Sequence, residues 1–297
     1  MKKKTLTVRV SSGLGNQLFM FSNAYCVSKL NNMNLKIDDK SAFFQKKNKS
    51  DNRLSKLRFF NIPKKHFSEV NAYDNLPKHL LRKVYIFINK FLNIKIYLSE
   101  HSFKNSKKTF FKNLKILDNK NYEIKGHFES EKYFIKEQSD LQRILTPNFF
   151  LNSKYRNLLK NSNSISIHIR TRGYYGYAYK YYKKKKKIEI KDQINYINKS
   201  ILYFNKKVNN PKYFIWSDDI TKIKKFFKKS NFYFIYSSND VIDFCLFNYC
   251  KHFIVSPSTY HWMGAWLNKN KEKICVRPKN MTPSNNIDFW PKNWIKI

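Results

Sequence analysis

The stretch VRVSSGLGNQLFMFSNAYCVSKLN, residues 8–31, decides the fold because it reads as a strand, a glycine turn and a helix in that order. Residues 5–10 have the composition of a β-strand, and apolar residues recur with helical spacing from Leu18 onward. Gly13 and Gly15 therefore stand where a parallel strand passes into a helix. Glycine at such a turn permits positive φ and leaves room for a ligand beside the backbone.

Polar amides follow these glycines directly. Asn16, Gln17 and the unpaired backbone amides at the start of the helix offer hydrogen-bond donors to an anion or a sugar. The GLG triplet lacks the spacing of the dinucleotide fingerprint and of the P-loop, so its pattern predicts no phosphate role. A structural turn and a ligand-binding loop both remain open for this segment.

Composition narrows the class of protein. The chain has 297 residues, 42% hydrophobic and 17% aromatic, which suits one large core or two domains of about 100 to 200 residues each. Lys and Arg number 59 against 20 Asp and Glu, a net charge of +39, which favours phosphates, anionic lipid headgroups or nucleic acid as partners. The basic residues do not cluster on one predicted helix, so no specific nucleic acid is expected; a basic nucleic-acid-binding protein is the alternative.

Cysteine usage and hydropathy bear on the compartment. Cys26, Cys245, Cys250 and Cys275 show no CxxC spacing and lie in apolar patterns, which predicts buried free thiols in a reducing compartment and no zinc site. The sequence has no apolar segment of signal-peptide length before its first strand, and no run of about 18 uncharged apolar residues. We expect a cytoplasmic protein, with any membrane contact peripheral and at the inner face of the cytoplasmic membrane.

The second half of the chain has the most regular pattern. From residue 164, short apolar strands alternate with helices of about ten residues, which predicts parallel βαβ units. We expect an α/β protein of two Rossmann-like halves, residues 1–150 and 151–297, with a cleft between them. Between residues 40 and 120 only residues 81–94 give a clear helix candidate.

Polar and charged side chains stand at the ends of three predicted strands. Ligands of parallel sheets bind beyond the carboxyl ends of the strands, so these side chains form the candidate site. They are His168, Arg170, Arg172, Ser217, Asp218, Asp219, Ser256, Ser258 and Thr259.

These residue types suit a nucleoside diphosphate. Arginine grips a pyrophosphate through paired, charge-assisted hydrogen bonds, and a helix that opens with hydroxyls adds donors to the same anion. The two aspartates would accept hydrogen bonds from guanine or ribose hydroxyls. Each residue also has a structural interpretation: helix N-caps for the aspartates and for Ser258 or Thr259, a solvated charge for Arg172, and a core histidine for His168.

Five segments carry a family resemblance, in the right order and over nearly the whole chain. They are a GxGNQxF segment at residues 13–19, GHFESEKYF at 126–134 in place of a GYWQSEKYF-like segment, an HxR motif at 168–170, WSDD at 216–219, and a block at 250–268 similar to CKHxIxxxSSFSWWGAWLN. Together they resemble the bacterial α-1,2-fucosyltransferases, glycosyltransferase family 11.

The resemblance implies a GT-B-like architecture, GDP-fucose as the donor substrate, no cofactor or metal, and inverting transfer to the 2-hydroxyl of a galactoside-type acceptor. It implies an N-terminal acceptor-side domain and a C-terminal domain that binds the nucleotide sugar. The expected setting is cell-surface glycan synthesis, such as lipooligosaccharide biosynthesis, with a glycan or glycolipid acceptor. The donor-binding residues it implies are Gly13, Gly15, Asn16, Gln17, Arg170, Asp218, Asp219, Ser258 and Thr259.

One departure concerns the segment after the HxR motif. The family usually reads HxRRGDY, whereas this chain reads HIRTRGYYG, so Thr171 replaces the second arginine and Arg172 follows one place later. Either Arg172 replaces the lost guanidinium or the grip on the donor is weaker. The missing aspartate is also consistent with another acceptor, another donor sugar or impaired catalysis.

Three further predictions concern the surroundings of this motif. The general base remains open between His168, whose ordinary pKa is near 6.5, and Asp243 on a predicted helix. Trp262 and Trp266 stand one helical turn apart, and we expect core packing rather than stacking on sugar. Residues 174–187, YYGYAYKYYKKKKK, predict a mobile basic aromatic loop that is solvated, covers the site or meets anionic lipid-linked acceptors at the membrane.

Overall fold

The computed structural model describes residues 3–43, 54–67, 80–100, 120–151, 154–171, 174–178, 185–236, 239–282 and 288–297. The chain forms two compact units, Met1–Leu145 and Thr146–Ile297. No helix within these described ranges is both long and apolar enough to cross a bilayer.

The first unit contains a parallel sheet of four strands in the order β2-β1-β4-β3. Leu6 and Val8 of β1, one of the two inner strands, are buried, and β1 contacts the first helix, which is itself largely buried. The elements are β1 (Thr5–Arg9), α1 (Leu14–Leu30), β2 (Asn34–Asp38), α2 (Leu80–Phe91), β3 (Lys95–Ser99), β4 (Asn121–Lys125) and α3 (Gln138–Ile144).

The second unit contains a parallel six-stranded sheet in the order β13-β11-β10-β5-β8-β9 and a small sheet in the order β12-β6-β7. Its elements are α4 (Lys154–Lys160), β5 (Asn163–Ile169), β6 (Tyr174–Ala178), β7 (Lys185–Ile188), α5 (Ile190–Lys207), β8 (Pro211–Ser217), α6 (Ile220–Lys224), β9 (Phe232–Phe234), α7 (Asp240–Leu246), β10 (His252–Ile254), α8 (Thr259–Leu267), β11 (Cys275–Arg277), β12 (Met281–Thr282) and β13 (Ile295–Lys296).

The central strand β5 has two different faces because its sequence alternates. Ile165, Ile167 and Ile169 join the buried cluster that includes Ile197 and Phe204 of α5. Ser166 and His168 point to the opposite face, since successive side chains of a strand alternate. Strand β5 pairs with β8 on one side and β10 on the other, so the carboxyl ends of three strands lie side by side.

The predicted α/β class with two Rossmann-like halves is confirmed, and the alternating elements after residue 164 are present with shifted ends. The loop prediction is wrong for residues 174–178 and 185–187, and residues 179–184 lie outside the described part of the chain. Strands β6 and β7 pair there in antiparallel register from Tyr174 with Ile188 to Tyr177 with Lys185. A tyrosine-rich segment has high β-propensity, and that property outweighs the lysine content from which a loop was expected.

The described structure places all four cysteines as free thiols, three of them buried and Cys26 half-buried. Trp262 and Trp266 both lie in the core. Their rings stack with centroids 6.0 Å apart, and the Trp262 indole N–H donates to the Phe289 carbonyl at 3.0 Å. The expected core packing of this pair is therefore what the structure shows.

Gly264 of α8 allows a close approach to Phe247, which is fully buried. A Cβ atom at position 264 would lie 2.4 Å from Cδ2 of Phe247. We expect Gly264→Ala to lower the free energy of unfolding by about 1 to 2 kcal/mol, because overpacking costs about 1 to 3 kcal/mol and alanine returns only about 1 kcal/mol of helix propensity. Urea unfolding measures the change.

Gly13→Ser is the matched control for this prediction, because a Cβ atom there meets no atom within 4 Å and the backbone has φ −75°. Serine is also a good N-cap residue. Adding Phe247→Leu to Gly264→Ala should give a favourable coupling energy in a double-mutant cycle. A Gly264→Ala protein as stable as the parent would contradict the packing described.

Candidate active site

The turn between β1 and α1 differs from its sequence-based expectation. Gly13 is the N-cap of α1 with φ −75° and ψ 168°, so the positive φ that glycine permits is not used at this residue. The positive φ, 66°, belongs to Ser12. A Cβ atom at Gly13 would meet nothing within 4 Å, so the space beside the backbone is open.

Gln17 and Gly15, near the start of α1, are both enclosed by the protein. The Gln17 amide is fully buried and donates to the carbonyls of Ser12 at 2.9 Å and Leu54 at 3.1 Å. Its oxygen accepts the backbone N–H of Lys56 at 2.8 Å. Gln17 therefore holds the turn against residues 54–56, and both of its amide hydrogens are used within the protein. Gly15 is buried in the helix.

Asn16 lies on the partly exposed side of the same turn. Its Oδ1 atom is buried and has no hydrogen-bond partner in the described part of the chain. Of the two amides predicted here, only that of Asn16 keeps an acceptor for a ligand.

The backbone after β5 is fixed by two side chains from other elements. Gln193 of α5, almost fully buried, accepts the Arg170 N–H at 3.1 Å and donates to the Arg170 carbonyl at 3.0 Å. Asp218, directly after β8, accepts from the backbone N–H of Thr171 at 2.6 Å and from its hydroxyl at 2.9 Å. The main chain of residues 170–171 is thus held on both sides, and the Arg170 side chain projects from a defined point.

Asp219 has the structural role that the sequence left open. It is the N-cap of α6, accepting from the Lys222 N–H at 3.4 Å and the Thr221 hydroxyl at 2.6 Å, and it pairs with the Lys222 ammonium at 2.7 Å. Hydrogen bonds from Lys222 and then Thr221 lower its pKa to about 2. Both of its oxygens have partners, which favours the N-cap interpretation of Asp219, and its contact with the nucleotide stays a prediction.

The start of α8 lies at the carboxyl edge of the six-stranded sheet, as residues 170–171 do. Ser258 is the N-cap residue, yet its hydroxyl makes no capping hydrogen bond, so the simple N-cap interpretation fails for this side chain. The amides of the first helical turn, which begins at Thr259, have no partner within the helix. The hydroxyls and amides at this end are therefore suited to an anion.

Two histidines, the buried His261 and the half-buried His168, link β5 to the loop that precedes α8. His261, fully buried, accepts the Ser256 N–H at its Nδ1 atom, 3.2 Å away, and its Nε2 atom lies 2.7 Å from the Ser166 hydroxyl. His168 Nδ1 lies 3.2 Å from the Ser256 hydroxyl. Because Nδ1 of His261 is an acceptor, its neutral ring carries the proton on Nε2 and donates it to Ser166. These four residues, named here the His–Ser network, join the ends of β5 and β10.

Burial keeps both rings neutral. Burial lowers the pKa of His168 to about 4, with Asp218 raising it and Arg170 lowering it further. Burial and then the neighbouring His168 hold the pKa of His261 well below its ordinary value. A base works best with a pKa near the working pH, so His168 is a weak candidate base and the core-histidine interpretation fits it better.

Asp243 lies on α7, whose face meets the start of α8. The Tyr260 ring lies 5.5 Å from the His168 ring, and its hydroxyl donates to the Asp240 carbonyl. Burial, followed by the charges of Asp243 and Asp240, raises the pKa of Tyr260 well above its ordinary value. Asp243 is thus close to Tyr260, whose ring contacts His168, and the role of Asp243 as the general base stays a prediction.

Three residues of this site were not identified from the sequence: Gln193, Ser166 and His261. A signal for Ser166 was present in the alternation SISIHI, because a strand buried on both faces needs partners for its polar side chains. Arg172 lies outside the described residues.

Ligands of a parallel α/β unit bind at the carboxyl edge of its sheet, which is where this chain places its cationic and hydroxyl-bearing groups. The family description that matches residues 5–297 is "Glycosyl transferase family 11". The chain belongs to this family.

Two characterised relatives from Escherichia coli align with almost the whole chain. An alpha-1,2-colitosyltransferase is 26% identical over 98% of this chain and 98% of its own length. The O-antigen biosynthesis glycosyltransferase WbnK is 28% identical over 95% of this chain and 98% of its own length. The fucosyltransferase NodZ from Bradyrhizobium, a solved structure, gives a TM-score of 0.49 at 11% identity, covering 89% of this chain and 93% of NodZ.

The His–Ser network predicts a loss of stability on mild acidification. The unfolded chain binds a proton at each histidine near pH 6.5, whereas folded His168 stays neutral down to about pH 4. Stability from this residue is therefore complete above pH 6.5 and is lost as the pH falls toward 4, by up to about 3 kcal/mol. Urea unfolding between these pH values measures the slope.

His168→Gln and His261→Gln should each reduce that slope. His127→Gln is the control, since the His127 side chain is 45% exposed and lies outside the network. Equal slopes in the parent and both network variants would show that the histidines are not held neutral in the folded chain.

Proposed function

We propose that this family 11 glycosyltransferase transfers L-fucose, or a related deoxyhexose, from a GDP-linked donor with inversion to the 2-hydroxyl of a galactoside-type acceptor in cell-surface glycan synthesis. The observation that carries the proposal is the fixed turn at Arg170, which lies at the same carboxyl edge of the sheet as the start of α8. Its guanidinium and the unpaired amides of the helix are the groups that would hold a diphosphate.

The chemical need is to stabilise a departing GDP while positive charge develops on the sugar. Groups already in place before the reaction stabilise such charge best, because they need no reorganisation in the transition state. Gln193 and Asp218 hold the main chain of residues 170–171, and the His–Ser network holds Ser256. The chain therefore prepares both sides of the proposed diphosphate site.

Thr171 gives the altered motif a defined role. Its N–H and hydroxyl both donate to Asp218. Thr171, which stands in place of the family's second arginine, therefore fixes the turn instead of supplying a positive charge. In this proposal Asp218 acts by positioning the turn rather than by contacting the nucleotide, and Arg170 carries the contact with the diphosphate.

The donor sugar is the second point of the proposal. One relative with full-length coverage is named as an alpha-1,2-colitosyltransferase, which supports a deoxyhexose donor and a 1,2 linkage without fixing the sugar. A fucosyl donor and a colitosyl donor are thus the two candidates.

Assays of the purified chain with GDP-fucose and GDP-colitose, over a panel of galactoside acceptors, test the proposal. We expect one donor to give a product whose linkage, read by NMR, is α-1,2. Arg170→Ala should lower kcat/KM by about 10²- to 10³-fold, the usual loss for one preorganised donor in a transition state. Arg170→Lys should recover only part of it, because lysine lacks the bidentate fork.

Arg143→Ala is the matched control, since the Arg143 side chain is 73% exposed in the other unit. Asp219→Asn should leave the KM for the donor unchanged because Asp219 caps α6. No turnover with either donor, together with no binding of GDP, would contradict the proposal. Binding of GDP without turnover would instead identify a member with impaired catalysis, and salt-sensitive binding to random duplex DNA that GDP does not affect would support the nucleic-acid alternative.

A further inference from the structure

Helix α2 presents its apolar side to solvent. Val84, Phe87, Ile88 and Phe91 recur at i, i+3, i+4 and i+7 and form one stripe, which we name the α2 stripe. All four side chains are exposed, Phe87 by 68% and Phe91 by 79%. The two phenyl rings stack with centroids 6.3 Å apart.

The opposite side of α2 faces the protein and carries Arg82 and Asn89 beside the half-buried Ile86. Arg82 donates to Glu123 and lies 4.0 Å from Asp38, and Asn89 is buried with its amide donating to the Tyr85 carbonyl at 2.8 Å. A surface helix of a globular protein normally has the reverse arrangement, with its apolar stripe toward the core. Contiguous exposed apolar surface of this kind marks a contact with a membrane or another protein.

The charge around α2 distinguishes between a membrane and another protein as the partner of the α2 stripe. Residues 80–99 contain four basic side chains and no Asp or Glu. Lys83 and Lys90, seven residues apart, are both exposed and border the α2 stripe along one side. A second copy of this chain would bring the same positive charge to the contact, and the whole chain carries +39. An anionic surface complements this arrangement.

The dimensions of α2 agree with an orientation parallel to a bilayer. Its 12 residues extend about 18 Å, less than the roughly 30 Å of a hydrocarbon core. Leu92 and Ile94, directly after the helix, are also exposed and extend the apolar surface. Lysines beside such a stripe extend their ammonium groups toward lipid phosphates while their methylene stems stay near the apolar chains.

We propose that α2 docks this protein on an anionic membrane surface, with the α2 stripe inserted at the level of the headgroups and Lys83 and Lys90 on lipid phosphates. The site is distinct from the carboxyl edge of the second unit's sheet. The inference does not depend on the proposed function, because membrane docking needs neither the sugar donor nor the acceptor.

Sedimentation of the full chain with vesicles tests the proposal. We expect the parent to sediment with vesicles of mixed phosphatidylcholine and phosphatidylglycerol and to remain in solution with phosphatidylcholine alone. Phe87→Asp with Phe91→Asp should lower the partition coefficient for the anionic vesicles more than about tenfold, because two large apolar groups lose their burial and two negative charges are added. Phe87→Trp with Phe91→Trp should retain binding.

The matched control is Phe150→Asp with Leu202→Asp, which changes two exposed apolar residues of the other unit and adds the same charge. This control should sediment like the parent, and circular dichroism checks that both Asp pairs fold. Equal binding by the α2 Asp pair and the parent would overturn the proposal, as would a parent that ignores anionic vesicles. A dimer in solution that the α2 Asp pair dissociates would assign the stripe to a second copy instead.

Discussion

The second unit depends on one constraint, which is the fixed backbone of residues 170–171 at the end of β5. A buried amide from α5 pairs with both polar groups of the Arg170 main chain, and the Asp218 carboxylate takes both donors of Thr171. Leaving a buried polar group unpaired costs about 1 to 3 kcal/mol, and this penalty applies to the buried Gln193 amide, whose pairing with the Arg170 main chain holds the turn. A guanidinium on a fixed main chain loses less conformational entropy on binding an anion than one on a free loop.

The His–Ser network extends this constraint to the next strand. It joins β5 to the loop before α8 through hydrogen bonds between neutral groups, so the site gains rigidity without adding charge that competes with Arg170. The same burial that keeps His168 neutral makes it a poor proton acceptor. His168 therefore helps to hold the site in place, and the same surroundings make it a poor general base.

The sequence predicted the βαβ order well because the alternation of apolar strands with short helices is a local signal, as in residues 164–169 and 213–216. Side-chain roles were harder to predict. Gln17 and Asp219 are residue types that often bind ligands, yet in the structure their polar atoms bind backbone groups. Ser12 and Lys56 supply these groups for Gln17, and Lys222 supplies one for Asp219. The importance of Gln193 and His261 arises from pairings across 23 and 95 residues, which no local pattern encodes. Helix α2 was found from its periodicity, but the side facing outward depends on Glu123 and Asp38, which bind its arginine.

The most direct test of the account is a crystal structure of the chain with GDP. The account predicts that the diphosphate lies within hydrogen-bond distance of the Arg170 guanidinium and of the amides in the first turn of α8. It also predicts that the Thr171 to Asp218 and His168 to Ser256 hydrogen bonds are the same as in the free chain. A diphosphate bound away from both groups, or a turn at residues 170–171 that rebuilds when GDP binds, would contradict it.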